Sequence, residues 1–150
     1  MRCRFAVIGA DCVGKSSVVF RLVKGEFVED FDPTIADDYR KQYTIDNEQI
    51  VLEIVEYTSE FFDGVARDYR YGIKGYMFVF AITSKQSLED MKEIYKQFDE
   101  SYGFFSQNPD NAKAVVIVGN KSDLKEHRQV SVEEGETLGL QILRSFCKNK

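Results

Sequence analysis

The chain has 150 residues, 43% hydrophobic and 30% charged, with a net charge of −5. That length suits one domain able to bury a core, and the acidic balance excludes a general nucleic-acid binder, which needs a basic face. No apolar stretch approaches a membrane span, no signal-peptide core follows Met1-Arg2-Cys3-Arg4, and three cysteines fit a reducing interior better than a disulfide scaffold, so a cytoplasmic protein is expected.

The first predicted strand covers residues 3–9, and a helix is predicted over 16–24. Between them Gly9-Ala10-Asp11-Cys12-Val13-Gly14-Lys15-Ser16 spells G-x-x-x-x-G-K-S in the strand–loop–helix context that a phosphate-binding loop requires. There the backbone N–H groups from Asp11 to Ser17 curl around a di- or triphosphate, and the helix N-terminus faces the anion. Lys15 supplies a point charge, and the Ser16 hydroxyl is placed to ligate Mg²⁺. The four fixed positions arise by chance in roughly 0.5% of chains this long, so a mere glycine-rich turn is the weaker explanation.

Residues 25–36 read as an irregular loop containing Pro33. Strands over 38–45 and 50–57, rich in β-branched and aromatic residues, are joined by Asp46-Asn47-Glu48-Gln49, a link short enough to make an antiparallel hairpin. A short helix is predicted over 65–71. Residues 75–82 are almost continuously apolar, the mark of a strand buried on both faces. A helix over 87–101 places Leu88, Met91, Ile94, Tyr95 and Phe98 on one side. After a polar loop over 103–111 come a buried strand over 114–119, a short helix over 132–138 and a last strand over 140–146. This alternation predicts an α/β fold, a three-layer α/β/α sandwich. Its sheet is mostly parallel and six-stranded with one antiparallel edge strand, and the ligand crevice lies at the strands' carboxyl ends.

Directly after the strand over 114–119 stands Asn120-Lys121-Ser122-Asp123. A carboxylate fixed at a strand's end can accept two hydrogen bonds from guanine N1–H and the N2 amine. Adenine lacks that donor pair and would leave the carboxylate desolvated and unpaired. A polar turn explains any one of these residues but not the tetrapeptide beside a phosphate loop. An adenine-nucleotide kinase with the same loop has no need of it.

With these two motifs the chain resembles the Ras-like small GTPases, from residue 2 to about 148. Phe31-Asp32-Pro33-Thr34-Ile35-Ala36-Asp37-Asp38-Tyr39-Arg40-Lys41 is similar to that family's effector segment. The resemblance implies GTP/GDP and Mg²⁺ as cofactors, and effector proteins that dock on residues 31–41. It also implies an exchange factor and an activating protein. It gives Thr34 the role of meeting Mg²⁺ and the γ-phosphate, Phe27 that of packing against guanine, and Lys121 that of lying over the base. Asn120 and Asp123 complete the base site, and Lys15 the catalytic phosphate contact.

The chain departs from the family where hydrolysis is performed. In place of D-T-A-G-Q-E it has Glu56-Tyr57-Thr58-Ser59-Glu60-Phe61. Glu56 replaces the Asp that orients the metal's water shell, and its extra methylene predicts a less well-held metal. Ser59 replaces a glycine whose N–H senses the γ-phosphate, and its Cβ narrows the backbone's choices. Glu60 replaces the glutamine that orients the attacking water. A carboxylate there accepts a proton but repels the triphosphate. Asp11 stands where the family carries glycine, adding bulk and negative charge where an activating protein's arginine would enter. Cys12, at a second small position, is oxidisable but is more simply a partly exposed thiol with no role. Near the end, Phe146-Cys147-Lys148 stand for S-A-K: Cys147 is expected to offer its backbone N–H to guanine O6 and Lys148 to contact the base. The family continues into a C-terminal helix, so the single domain over 1–150 is expected to lack that cover. No lipidation signal is read.

Three functions are therefore weighed. The first is a guanine-nucleotide-binding switch that hydrolyses GTP slowly, with Glu60, Thr34 and Lys15 as its catalytic set and Ser16, Thr34 and Glu56 around the metal. The second is a conventional switch in which Glu60 acts as base and Glu56 reaches the metal's water. The third is a non-hydrolysing interaction module. His127, in a charged loop, receives no role, and neither does the helix face around Asp90 and Glu93. Tyr102-Gly103-Phe104-Phe105 reads as a helix end folding onto the core.

Overall fold

The computed structural model describes residues 1–25, 39–57, 72–102 and 113–148, with the side chains of 98–102 and 143–148 left aside. Its elements in chain order are β1 (Arg2–Ile8), α1 (Lys15–Lys24), β2 (Tyr39–Ile45), β3 (Glu48–Tyr57), β4 (Ile73–Ala81), α2 (Lys85–Tyr102), β5 (Ala114–Asn120) and α3 (Val132–Lys148). One 3₁₀ turn, Lys125–His127, precedes α3. The helix expected over 65–71 and the loop over 103–111 lie outside the described residues.

The strands form one sheet in the order β2-β3-β1-β4-β5. Only β2 runs antiparallel, pairing with β3, while β1–β3, β1–β4 and β4–β5 are parallel. Successive side chains of a strand point to opposite faces, so each strand feeds two cores. On one face Ala6, Ile8, Tyr76, Phe78, Phe80 and Ile82 meet Leu88, Met91, Ile94 and Tyr95 of α2 and Leu138 and Ile142 of α3. On the other, Val7, Ile54, Val79 and Ala81 meet Val13 and Val19 of the loop and α1. These layers bear out the α/β sandwich. They also place β1 at the point where the chain's strand order reverses, with the crevice at its carboxyl end.

Local chemistry sets the boundaries. The hairpin turn is the two-residue Asp46-Asn47, with φ of 50° and 65°. That is the twist-matched type I′ geometry, and it lets β3 begin at Glu48, two residues before the predicted start. α1 ends at Gly25, whose N–H returns to the Arg21 carbonyl. The same end is clasped by β2, because Lys41 Nζ and Tyr43 Oη both donate to the Leu22 carbonyl.

The last segment corrects the six-stranded expectation. Residues 132–148 form one continuous helix of 17 residues, so the sheet described here has five strands and no strand over 140–146. Ser131 and Glu134 build a capping box: Glu134 N–H donates to Ser131 Oγ and Ser131 N–H to Glu134 Oε2. Leu138 and Ile142, one helical repeat apart, are both buried in the α2-side core. Gly139 falls between the predicted helix and the predicted strand, but an isolated glycine costs a helix only about 1 kcal/mol and does not end it against that packing. As a consequence β5 is an outer strand of the described sheet. A groove of about 480 Å³ opens between it and α3, lined by Val115, Ile117, Gly135, Gly139 and Ile142 among others.

Candidate nucleotide-binding site

The loop from Gly9 to Gly14 joins the carboxyl end of β1 to the N-terminus of α1. Gly14 sits at φ 89°, a left-handed conformation, and a Cβ there would also collide with Asn120 Nδ2. Glycine is thus demanded twice over at the turn that aims the first N–H groups of α1. Cys12 also takes a positive φ, 60°, without being glycine. Both Cys12 and Asp11 are exposed on the loop's outer side, whereas Val13 is buried beneath it.

Lys15 folds back across the loop. Its ammonium donates to the Gly9 carbonyl at 3.0 Å and the Ala10 carbonyl at 2.8 Å. Burial lowers its pKa from the ordinary value, opposed by the charges of Asp11, Glu56 and Cys12. A lysine tied at both carbonyls is held across the loop rather than free to sweep solvent.

One residue further on, Ser16 Oγ donates to Glu56 Oε2 at 2.7 Å. Glu56 is the penultimate residue of β3 and pairs with Val7 of β1. The parallel pairing of these strands therefore delivers its carboxylate to the first turn of α1. The set here, a hydroxyl and a carboxylate, is hard oxygen chemistry that suits Mg²⁺ once phosphate oxygens complete the shell. Among the described residues no cluster of three or more His, Cys, Asp or Glu could hold an ion unaided.

Asn120, the last residue of β5, connects the two motifs across 107 positions of sequence. Its Nδ2 donates to the Val13 carbonyl at 2.9 Å and the Gly14 carbonyl at 3.4 Å. Its own carbonyl accepts from Ile82 N–H, which ties β5 to the end of β4. Lys121 then takes φ 62°, turning the chain sharply. The loop closes with Leu124 N–H on the Lys121 carbonyl and Lys125 N–H on the Asp123 carbonyl. Asp123 is exposed on the same rim as the phosphate loop.

The structure therefore gathers Asp11 to Ser17, Glu56, Asn120, Lys121 and Asp123 at one edge of the sheet. Phe27, Thr34, Ser59 and Glu60 lie outside the described residues, as do residues 31–38 of the expected effector segment. Cys147 and Lys148, expected to meet guanine, fall in the last turn of α3. There the Cys147 N–H falls within the helix's own i→i−4 ladder. Gly135 of the same helix approaches Phe80 near the crevice edge of β4, and the 1.5 Å rise per residue carries Cys147 about 18 Å along the axis from it. Two features escaped sequence reasoning. One is the Ser16–Glu56 hydrogen bond, signalled only by the pairing of β1 with β3. The other is the role of Asn120 as a tie between loops, which needs the fold to be seen.

A Ras family model matches residues 4–149. "Protein ras-1" of Neurospora crassa is 37% identical over 140 residues, covering 93% of this chain and 63% of that protein. "Ras-like protein 1" of Saccharomyces cerevisiae is 33% identical over 146 residues, covering 97% of this chain and 45% of that protein. The chain thus spans less than two thirds of the length of either relative.

Proposed function

This chain belongs to the Ras family, and from that premise we propose that it is a guanine-nucleotide-binding signalling switch that hydrolyses GTP slowly. The observation that carries the nucleotide reading is the Asn120 tie. A single side chain locks the phosphate loop to the segment bearing Asp123, so triphosphate and base are gripped by one rigid rim. Amides from Asp11 to Ser17 and the Lys15 ammonium take the phosphates, and Asp123 accepts from the guanine N1–H and N2 amine. Lys121 lies over the base by resemblance to the family, as do Phe27 beside it and Thr34 at the γ-phosphate.

Mg²⁺, when bound, draws negative charge off the phosphate oxygens. Ser16 and Glu56 are the described side chains that would hold it, joined by Thr34 in the triphosphate form. The Ser16–Glu56 hydrogen bond favours an intact metal site over a weakened one, and so supports Mg²⁺ binding in this chain.

The slow-hydrolysis part rests on Asp11, exposed at the loop's crown, and on Glu60 and Ser59 in the second switch. Phosphoryl transfer depends on positioning and charge stabilisation, and an entering arginine is worth about 10³–10⁵ in rate. A carboxylate in its path removes most of that gain, while Glu60 adds repulsion without donating a hydrogen bond. A conventional switch, with Glu60 as base, is the second reading; it draws on the retained contact at Glu56. Single-turnover hydrolysis of radiolabelled GTP, with and without a Ras-family activating protein, separates them. Slow rates in both conditions support the proposal, and a large stimulation supports the conventional switch.

Effectors on residues 31–41, an exchange factor and a cytoplasmic site of action complete the proposal. No described helix is long and apolar enough to cross a membrane.

A further inference from the structure

We infer that Gln129 is a positioning residue for base recognition: its side-chain amide pins the loop that carries Asp123 to the start of α2. This rests on the guanine reading above and deepens it by naming what holds the base-reading carboxylate in place.

The loop from Asn120 to Val130 closes on a single residue just past the end of β4. Ile82 N–H donates to the Asn120 carbonyl at 3.0 Å, and the Ile82 carbonyl accepts from Gln129 N–H at 2.8 Å and Val130 N–H at 3.0 Å. Between those ends the backbone is bonded turn by turn. Leu124 N–H meets the Lys121 carbonyl, Lys125 N–H that of Asp123, His127 N–H that of Leu124 and Arg128 N–H that of Lys125. A compact loop bonded in this way moves as one body, so a shift at its Gln129 end is carried to Asp123.

Side-chain packing does little to fix that body, because Ser122 to Gln129 are all exposed and burial resumes only at Val130. Two fastenings on one residue leave an axis about which the loop can swing, and a third point off that axis stops it. Gln129 supplies that point, with Oε1 accepting from the Lys85 N–H at 3.2 Å. Lys85 is the first residue of α2, where a backbone N–H has no partner inside the helix, so the contact also satisfies an orphan donor. The helix end is itself firm: Ser87 Oγ accepts from the buried Ala81 N–H at 3.0 Å, holding the start of α2 against the end of β4. Asp123 reads guanine by accepting two hydrogen bonds at once, and hydrogen bonds weaken steeply with misalignment. A swinging loop degrades that two-bond match.

The test compares wild type with Gln129→Leu, which keeps the size and loses the acceptor, and with Gln129→Glu, which keeps the acceptor. Each protein is titrated by calorimetry with GDP and with inosine diphosphate, which lacks the N2 amine. Both ligands carry the same phosphates, so the ratio of affinities reads the base contact alone. The assignment predicts that Gln129→Leu lowers the preference for GDP about 2-fold to 10-fold, the range for one lost neutral hydrogen bond. Gln129→Glu should retain the wild-type preference. A merely structural role would lower Tm and leave the preference as it was. An unchanged preference in Gln129→Leu, or an equal loss in Gln129→Glu, overturns the assignment alone. A folded wild-type chain that binds no GDP overturns the guanine reading and the assignment with it.

Discussion

Replacing Asn120 with alanine isolates the contact that makes one site out of two distant motifs. The substitution removes a 2.9 Å hydrogen bond to the Val13 carbonyl and a weaker 3.4 Å one to the Gly14 carbonyl. Val13 is only 1% exposed, so its carbonyl has little water to turn to, and the loss should approach the cost of an unsatisfied buried acceptor, about 1–3 kcal/mol. At 1.4 kcal/mol per factor of ten, the share of that loss felt in the bound state alone weakens nucleotide binding, by at most roughly 5-fold to 150-fold. Part of the loss should show without ligand, since the tie joins segments 107 residues apart, and a domain of this size drops about 2–4 °C in Tm per kcal/mol. Stopped-flow release of a fluorescent GDP and a thermal melt of the apo-protein read the two quantities. A variant with wild-type GDP release and wild-type Tm would refute the idea that Asn120 holds the rim together.

Three more outcomes follow from the same geometry. Gly14→Ala should abolish nucleotide binding in a protein that still folds, because its left-handed φ of 89° and the Asn120 amide both exclude a Cβ. Calorimetry with GDP checks this, and retained affinity would contradict it. Asp11→Gly should raise the activating-protein-stimulated rate of GTP hydrolysis by about 10-fold or more, by clearing the path of the arginine. An unchanged single-turnover rate would clear Asp11 of that role. Glu134, paired with Lys85 and capping α3 through Ser131, has its pKa lowered from 4.5 to about 2. A depressed carboxylate stabilises the fold above its unfolded value and loses that contribution as pH falls from about 4.5 towards 2. Urea midpoints across that range should fall more steeply for wild type than for Glu134→Gln, and parallel curves would count against the pair.

What was legible in the sequence had local chemistry behind it. Phe5 to Ile8 before a glycine loop and Lys15-Ser16 after it could form little else than strand, anion loop and helix. Gly75 to Ile82 was apolar on both faces because it is nearly all β4, an interior strand between β1 and β5 that feeds both cores. Leu140 to Phe146 was misread as a strand because a short apolar run carries no decisive period. The deciding facts were the Ser131–Glu134 cap and the burial of Leu138 and Ile142 in the core on the α2 side of the sheet, of which only the cap is local. The hairpin was placed two residues late because Asp46-Asn47 alone suffices for a type I′ turn. At the site, residue types gave the ligand set, but not which atoms touch. Glu56 was expected near the metal, but that its carboxylate accepts from Ser16 is visible only in the register of β1 on β3.

The most direct measurement of the central claim is a calorimetric titration of the purified, nucleotide-stripped protein with GDP in magnesium buffer, repeated with ADP. Micromolar or tighter binding of GDP, with ADP producing no heat at the same concentrations, is the predicted result. Silence towards millimolar GDP, or equal binding of ADP, would contradict a rim that grips polyphosphate at one end and guanine at the other.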